Sequence, residues 1–262
     1  MTEYATTMHG DRVAYDRRGE GPGLVFVAGA GPFRATDPIT TETAELAAAA
    51  GLTTVVCDRL GRGESVADGR LTLERELAAV AAMIEVAGGR AALCGHSSGC
   101  TISLAAAHQG LAVSALALWE APLGEPSEDV RAWIDEFERR LDAGDHVGAT
   151  EQFMKDMPPE WLEGMKQSPD FPELARGSLS QRADGESLVW ATEALEDRRL
   201  ATLTIPVLAM YGTSTLPEMP PAAAWIASVV PSTTVTEAPG ADHSWEAVAM
   251  AEALSRFVLE HG

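Results

Sequence analysis

The chain has 262 residues, 46% of them apolar and 22% charged, which is enough to bury a sizeable core as one large α/β domain or two small ones. Its formal net charge is −20 at pH 7, and a field of that sign repels nucleic acid, anionic membrane and polyanionic substrates, so we expect none of these as partners. The first residues lack an apolar signal core and no apolar run reaches about 18 residues, so we expect a cytoplasmic protein.

Short strands are predicted along the chain, with helical patterns between most of them. Two opening strands, "EYATTMH" and "RVAYDRR", meet at a turn signal. Continuous apolar runs typical of buried strands follow at 23–29, 53–58, 91–95, 114–119 and 205–212, and a weaker strand follows at 233–239. This alternation predicts an α/β fold, with a mostly parallel sheet, helices on both faces, and ligands at the carboxyl ends of the strands.

One segment interrupts the alternation of strands and helices. Residues 123–200 contain helical apolar stripes and no convincing strand. A helical excursion between two strands of one sheet indicates a cap over the strand ends. We therefore expect a core formed by 1–122 and 201–262, with a helical cap, 123–200, inserted after the sixth strand.

The stretch "ALCGHSSGC" contains the pattern G-x-S-x-G with Ser97 at its centre. An apolar strand leads into it and a helix-compatible stretch leaves it, the context in which a serine sits on a sharp strand-to-helix turn, clear of the sheet. Ser98 would then begin the helix, with its side chain ill placed for attack and its backbone N–H directed at the reaction centre. We expect Ser97 to be a nucleophile and the Ser98 N–H to be an oxyanion donor.

Several further motifs occur in a fixed order around this one. "VFVAGAGPF" and "VVCDRLGRGES" precede it, and "VLAMYGTS" and "APGADHSW" follow it. With these motifs over nearly its whole length, the sequence resembles the α/β-hydrolase superfamily, in the serine hydrolase type with a helical cap. The resemblance implies an α/β-hydrolase fold and a catalytic triad.

The resemblance also implies a second oxyanion donor and a base. The donor comes from the loop after the "LVFVAG" strand, where relatives often show His-Gly-x and this chain has Ala28, Gly29 and Ala30. Since the donor is a backbone N–H, Ala30 can supply it, although what braces the loop without the histidine is open. His243, after the last strand, is the expected base, because its position after the nucleophile and the acid fits this fold.

The acid of the triad does not occur at its usual place. In most relatives it follows the "VLAMYG" strand, but here that loop has no carboxylate before Glu218, and Thr215 cannot offset an imidazolium charge. Glu120 ends the neighbouring strand, and because adjacent strands lie about 4.8 Å apart it could reach the same histidine. We expect Glu120 to be the acid; the alternatives are a structural role for Glu120 at the cap entrance, or Asp242 as the acid.

Apolar, aromatic and imidazole side chains near the strand ends are candidates for a substrate pocket: Phe33, His96, Trp119, Trp190 and Trp245. The three cysteines form no metal-type pair, and we expect neither a metal nor a cofactor. The leading hypothesis is a serine hydrolase acting on a small, uncharged, fairly apolar ester, lactone or related acyl compound. On the same site, lyase, thioesterase, cyclase or perhydrolase chemistry is an alternative. A non-catalytic small-molecule receptor is a further one.

Overall fold

A computed structural model describes residues 2–261 of the chain. Within them the strands are β1 (Glu3–Thr6), β2 (Arg12–Arg18), β3 (Gly23–Val27), β4 (Thr53–Cys57), β5 (Ala91–His96), β6 (Val113–Trp119), β7 (Val207–Ser214), β8 (Thr233–Ala241) and β9 (Ser244–Trp245). The α-helices are α1 (Pro38–Ala49), α2 (Leu73–Val86), α3 (Ser98–His108), α4 (Ser127–Asp142), α5 (His146–Phe153), α6 (Pro159–Lys166), α7 (Phe171–Arg176), α8 (Arg182–Glu196), α9 (Met219–Val229) and α10 (Ala247–His261). None of the helices in this range is long and apolar enough to cross a membrane.

All the strands belong to one sheet, in the order β1-β2-β4-β3-β5-β6-β7-β8-β9. The six strands β3 to β8 are parallel, while β1, β2 and β9 pair in the antiparallel sense at the two edges. The predicted mostly parallel sheet with helices on both faces is therefore confirmed. Because the six central strands are parallel, their carboxyl ends meet at one edge of the sheet.

Alternate residues of each central strand face opposite sides of the sheet, and each side is covered by helices. Leu24 and Phe26 of β3 pack in a cluster with residues of α1 and α10, whereas Val25 and Val27 pack with residues of α2, α3, α8 and α9. Both faces of β3 are thus buried, which explains why this strand reads as a continuous apolar run rather than an alternating pattern.

The segment between β6 and β7 is helical, as the sequence predicts, and its last α-helix also packs against the core layer. Ala191, Ala194 and Leu195 of α8 pack in the same cluster as α2, α3 and the sheet. Thr101 of α3 and Ser187 of α8 are also joined by a hydrogen bond of 2.7 Å between their hydroxyls. α8 therefore packs against the core layer as well as against the helices that precede it, and the expected cap boundaries, 123–200, stay a prediction.

A separate apolar cluster, which we call the α4–α5 cluster, joins α4 and α5 to one residue of α8. Its buried members are Ile134, Phe137, Leu141, Ala149, Phe153 and Val189. Ala30, in the loop after β3, packs against this cluster. The α4–α5 helices therefore lie over the carboxyl end of β3.

Candidate active site

Ser97 lies on a sharp turn between the end of β5 and the start of α3. Its backbone has φ of 54° and ψ of −127°, a conformation that is strained for any residue with a side chain and costs about 1–3 kcal/mol. Two close approaches hold the turn: a Cβ atom on Gly99 would lie 2.0 Å from the Val27 carbonyl oxygen, and one on Gly95 would lie 2.7 Å from Cys100. The glycines on either side of Ser97 are therefore required by packing.

Glu120 follows the last residue of β6 and is 2% exposed. Its backbone N–H donates to the Met210 carbonyl at 2.9 Å, which ties the residue to the middle of the neighbouring strand β7. One carboxylate oxygen, Oε1, accepts hydrogen bonds from the Gly212 N–H at 2.9 Å and the Thr215 hydroxyl at 2.5 Å. The end of β7 and the loop after it, which have no carboxylate before Glu218, thus supply two donors that hold the carboxylate of Glu120.

The other oxygen of the same carboxylate, Oε2, lies 2.6 Å from Nδ1 of His243. Burial raises the pKa of the Glu120 carboxyl, but the hydrogen bonds from His243, Thr215 and Gly212 outweigh it and leave the pKa below its ordinary value. Glu120 is therefore an acceptor at neutral pH, so the proton lies on Nδ1 of His243. In the neutral ring, Nε2 then carries the free lone pair that a general base needs.

His243 occupies the tight turn of the β8–β9 hairpin. Ala241 pairs with Ser244, which leaves Asp242 and His243 as a two-residue loop, and both have positive φ, 51° and 65°. Such hairpin loops require positive φ at both positions, and Asp and His are among the residues that tolerate it. The turn directs the His243 ring to Glu120, while the Asp242 carboxylate makes no hydrogen bond to His243 within residues 2–261.

His96, the residue before Ser97, links the serine turn to the histidine turn. Its Nε2 lies 2.8 Å from the His243 carbonyl oxygen, and the two imidazole rings are 4.9 Å apart. Because a carbonyl only accepts, Nε2 of His96 donates. Loss of hydration and the neighbouring His243 lower the pKa of His96 to about 4, so the ring is neutral at pH 7.

The loop that carries Ala30 lies directly beside Ser97. A Cβ atom on Gly29 would lie 2.9 Å from Cβ and 3.6 Å from Oγ of Ser97, so only glycine fits there. Ser98 is the first residue of α3, where helix N–H groups have no partner within the helix. Within residues 2–261 the N–H groups of Ala30 and Ser98 donate no hydrogen bond, so both are free to bind a substrate oxygen.

The structure thus brings Ser97, Glu120, His243, Ala30 and Ser98 to one edge of the sheet. Within residues 2–261, Ser97 Oγ and the His243 ring are not hydrogen-bonded to each other. Catalytic hydrogen bonds are often long before a substrate binds, so the lack of this bond does not argue against a joint role for the two residues.

The four predicted pocket residues other than His96 are placed differently from one another. Trp119 is fully buried and packs edge-on against Trp245, whose indole N–H donates to Thr43 at 2.9 Å. The Trp245 ring packs edge-on against the His96 ring, with 5.2 Å between the ring centres. Phe33 is half-buried and lies next to Gly63, in the outer loops.

Trp190 packs against His108, at the far end of α3 from Ser97 and about 15 Å along the helix. We therefore correct the assignment of Trp190 and Trp119 to the pocket: one faces the wrong end of α3, and the other has no exposed surface. The sequence did not distinguish these tryptophans, because neither a position at a strand end, as for Trp119, nor a position in an apolar helical stretch, as for Trp190, says what the side chain faces.

Trp161 of α6 was not expected at the site, yet its ring lies 6.2 Å from that of His243. In the sequence it belongs to an apolar helical stripe, which does not distinguish a residue packed inside a cap from one that faces the core. The arginines of the "DRLGRGES" motif, Arg59 and Arg62, also contact the backbone of the loop that holds Ala30.

Comparison with known proteins agrees with this architecture. The family model described as "Alpha/beta hydrolase family" matches residues 24–256. An α/β hydrolase from Sphaerobacter thermophilus is 29% identical, with 97% of this chain and 99% of that chain covered and a TM-score of 0.81.

Two more distant structures share the fold. An esterase from Exiguobacterium antarcticum is 17% identical, over 99% of this chain and 100% of that chain, with a TM-score of 0.62. The enol-lactonase from Burkholderia xenovorans is 18% identical, over 98% of both chains, with a TM-score of 0.63. None of the curated proteins matches the chain significantly. Because the family model covers most of the chain, and the sheet order and strained serine turn agree with it, this protein belongs to the alpha/beta hydrolase family.

Proposed function

We propose that the protein is a serine hydrolase that cleaves a small, uncharged, fairly apolar ester, lactone or related acyl compound. The observation that carries the proposal is the 2.6 Å contact between the ionised, buried carboxylate of Glu120 and Nδ1 of His243, at the same sheet edge as the strained turn of Ser97. A serine hydroxyl is a weak nucleophile unless a base and an orienting acid accompany it. The three groups supply that combination.

The reaction begins when the Ser97 hydroxyl attacks the substrate carbonyl carbon while Nε2 of His243 takes the hydroxyl proton. The carbonyl oxygen becomes an oxyanion that accepts hydrogen bonds from the N–H groups of Ala30 and Ser98, and one such donor is worth about 2.7–4 kcal/mol in the transition state. Glu120 stabilises the imidazolium that forms and keeps its ring in the reactive orientation.

Collapse of the tetrahedral intermediate expels the alcohol, which takes the proton from His243 and leaves the acyl group on Ser97 Oγ. His243 then removes a proton from water, and the resulting hydroxide attacks the acyl carbon. The second intermediate expels Ser97 Oγ, which recovers its proton from His243, and the free acid leaves. The cycle needs no metal or organic cofactor.

The proposed substrate class follows from charge and from what surrounds the site. The net charge of −20 disfavours anionic substrates. Ala30 packs against the apolar α4–α5 cluster and Trp161 lies near His243, so apolar side chains adjoin two residues of the proposed site. The esterase and enol-lactonase among the structural neighbours carry names that agree with such acyl substrates.

The proposal is tested by labelling with an alkyl fluorophosphonate, read by intact mass. We expect one adduct on the wild type and none on Ser97→Ala, with turnover of short-chain nitrophenyl esters lowered by about four orders of magnitude or more in that variant. Ser98→Ala keeps its backbone N–H and is the matched control, with labelling retained and turnover within about tenfold. Absence of an adduct on the wild type would contradict an activated serine. A Ser98→Ala variant that neither labels nor turns over substrate would mean that the nucleophile is not Ser97.

A panel of nitrophenyl esters, lactones and thioesters then identifies the substrate class. We expect hydrolysis to be fastest for neutral, short to medium acyl groups. If the protein labels on Ser97 but hydrolyses no member of the panel, the reaction on this site is not simple acyl hydrolysis.

A further inference from the structure

Two arginines of the "DRLGRGES" motif are buried behind the loop that carries Ala30. Arg59 and Arg62 are 2% and 5% exposed, and two equally buried carboxylates, Glu76 and Asp184, lie against them. Nε of Arg59 lies 2.9 Å from Glu76, and Nη2 of Arg62 lies 2.7 Å from Asp184. We call these four residues the arginine cluster; its two positive and two negative charges balance.

The same guanidinium groups donate to the backbone of the loop. Nη1 of Arg62 donates to the Gly29 carbonyl at 2.5 Å, and Nη1 of Arg59 donates to the carbonyls of Gly29 and Ala28 at 3.3 and 3.1 Å. Hydrogen bonds from charged donors are about twice as strong as neutral ones, and burial strengthens them further. The loop is therefore anchored through two successive carbonyl oxygens.

Because the peptide bond is planar, fixing the Gly29 carbonyl also fixes the direction of the Ala30 N–H. In a trans peptide the carbonyl of one residue and the N–H of the next point in opposite directions. With the Gly29 carbonyl fixed on Arg59 and Arg62, the Ala30 N–H must point away from the arginine cluster. A flip of this peptide would break both contacts and withdraw the N–H from the oxyanion.

Asp184 connects the second oxyanion donor to the same cluster. Its Oδ1 accepts a hydrogen bond from the Ser98 hydroxyl at 2.6 Å and also contacts Nη1 of Arg59 at 2.5 Å. The charges of Arg59 and Arg62 outweigh the effect of burial and keep the pKa of Asp184 below its ordinary value, so it is ionised at neutral pH. The Asp184 carboxylate thus binds Ser98, whose N–H is one oxyanion donor. It also binds Arg59 and Arg62, which hold the loop that carries the other donor, the Ala30 N–H.

We propose that Arg59 and Arg62, held by Asp184, are positioning residues that fix the oxyanion loop and set the Ala30 N–H against the N–H of Ser98. They brace the loop in this chain, which has Ala28 where the resemblance implies a histidine. The inference rests on the proposed function, because it concerns how that site stabilises an oxyanion.

The test compares Arg62→Gln with wild type, using a neutral nitrophenyl ester and an alkyl trifluoromethyl ketone, which forms a tetrahedral oxyanion adduct on an activated serine. We expect kcat per labelled active site to fall about 10–100-fold, with KM within about threefold. The inhibition constant of the ketone should rise by a similar factor to the fall in kcat. A purely structural role would reduce the fraction of labelled sites without changing either constant per site.

Arg182→Gln is the matched control. Arg182 is a comparably buried arginine that lies on the same helix as Asp184 and pairs with Glu138 and Asp142, but it makes no hydrogen bond to the oxyanion loop within residues 2–261. We expect this variant to lose stability while kcat per labelled site and the ketone affinity stay within about twofold of wild type.

Arg62→Lys keeps the charge but cannot bond Gly29 and Asp184 together as the planar guanidinium does, so we expect a smaller loss in the same direction, about 3–10-fold. If Arg62→Gln does not fold, the decision rests on this variant. If a folded Arg62 variant keeps the wild-type kcat per labelled site and the wild-type ketone affinity, the inference is overturned, while an active wild type leaves the proposed function standing. A wild type that neither labels nor binds the ketone would instead overturn the proposed function.

Discussion

Ser97, Glu120 and His243 share an unusual backbone conformation. Among residues 2–261 the non-glycine residues with positive φ are Ser97, Glu120, Arg198, Asp242 and His243. Residues held in such conformations cost about 1–3 kcal/mol each and concentrate at functional sites, because the surrounding structure must compensate for them. At Ser97 and Glu120 the compensation comes from backbone hydrogen bonds to adjacent strands, each 2.9 Å long.

The role of Glu120 can be tested by removing its charge. We expect Glu120→Gln to lower kcat by about 10²–10⁴-fold with the fold retained, because the amide can still accept from Gly212 and Thr215 but cannot stabilise an imidazolium. Steady-state kinetics on a neutral nitrophenyl ester, with circular dichroism of both proteins, measures this.

The control for that experiment is Glu218→Gln. Glu218 is exposed and lies just before α9, in the loop where most relatives carry their acid. We expect less than about a tenfold change in kcat, since surface substitutions away from a site have small effects. Equal, small effects in both variants would mean that Glu120 does not serve as the acid.

The lowered pKa of His96 predicts a dependence of stability on pH. The ordinary pKa is 6.5 and the folded value is about 4, so between these values the unfolded chain binds more protons than the folded one. The contribution of the neutral ring is complete above pH 6.5 and is lost as the pH falls towards 4. We expect wild type to lose free energy of unfolding over this window relative to His96→Gln, whose amide can donate to the His243 carbonyl but does not titrate.

Urea unfolding of both proteins at pH 7, 6, 5 and 4 measures the difference, and other titrating groups largely cancel between them. If the difference in free energy of unfolding between the two proteins stayed constant from pH 7 to pH 4, His96 would not be held neutral by the fold.

At the scale of elements, the contact between α3 and β3 determines how the serine turn is presented. Gly99, in the first turn of α3, has its Cα against the Val27 carbonyl, where an added Cβ would lie 2.0 Å from the oxygen. Neither backbone can move without disturbing the sheet. We expect Gly99→Ala to lower the free energy of unfolding by about 1–3 kcal/mol or more, measured by urea denaturation.

A glycine elsewhere provides the opposite expectation. Gly164, in α6, has nothing within 4 Å of the position a Cβ would take, and it is exposed. Gly164→Ala should therefore raise stability by about 0.4–1 kcal/mol, since alanine favours the helix and restricts the unfolded chain. If both variants behaved alike, the close packing of α3 on β3 would be in doubt.

At the scale of the whole molecule, the net charge of −20 should control which acyl compounds reach the site. We expect kcat/KM for an ester that carries a second, free carboxylate to rise about 3–10-fold between 10 mM and 0.5 M NaCl, because salt screens the repulsion. A neutral ester of the same acyl length is the control and should change little. Equal salt effects on the two esters would mean that the surface charge does not act on substrate binding.

Much of the architecture could be read from local patterns. Buried parallel strands are continuous apolar runs, and β3 to β7 were each predicted from such a run. The strand, glycine and serine pattern around Ser97 marks a turn whose geometry is local, so the chain sequence alone indicates which of the two serines leaves the sheet. The contact of Glu120 with His243 could be inferred as well. The spacing between strands is nearly constant, and a glutamate at the end of the neighbouring strand is long enough to reach the histidine.

Other features were decided only by the tertiary structure. Arg59 and Asp184 meet across 125 positions of sequence, and no local pattern encodes which buried charges will pair at that separation. The same holds for Trp161, which faces His243, and for Trp119 and Trp190, which do not face the site. Sequence periodicity determines which side of a strand or helix is apolar, and hence the fold. Which of those apolar and charged side chains face Ser97 depends on how the separate layers pack.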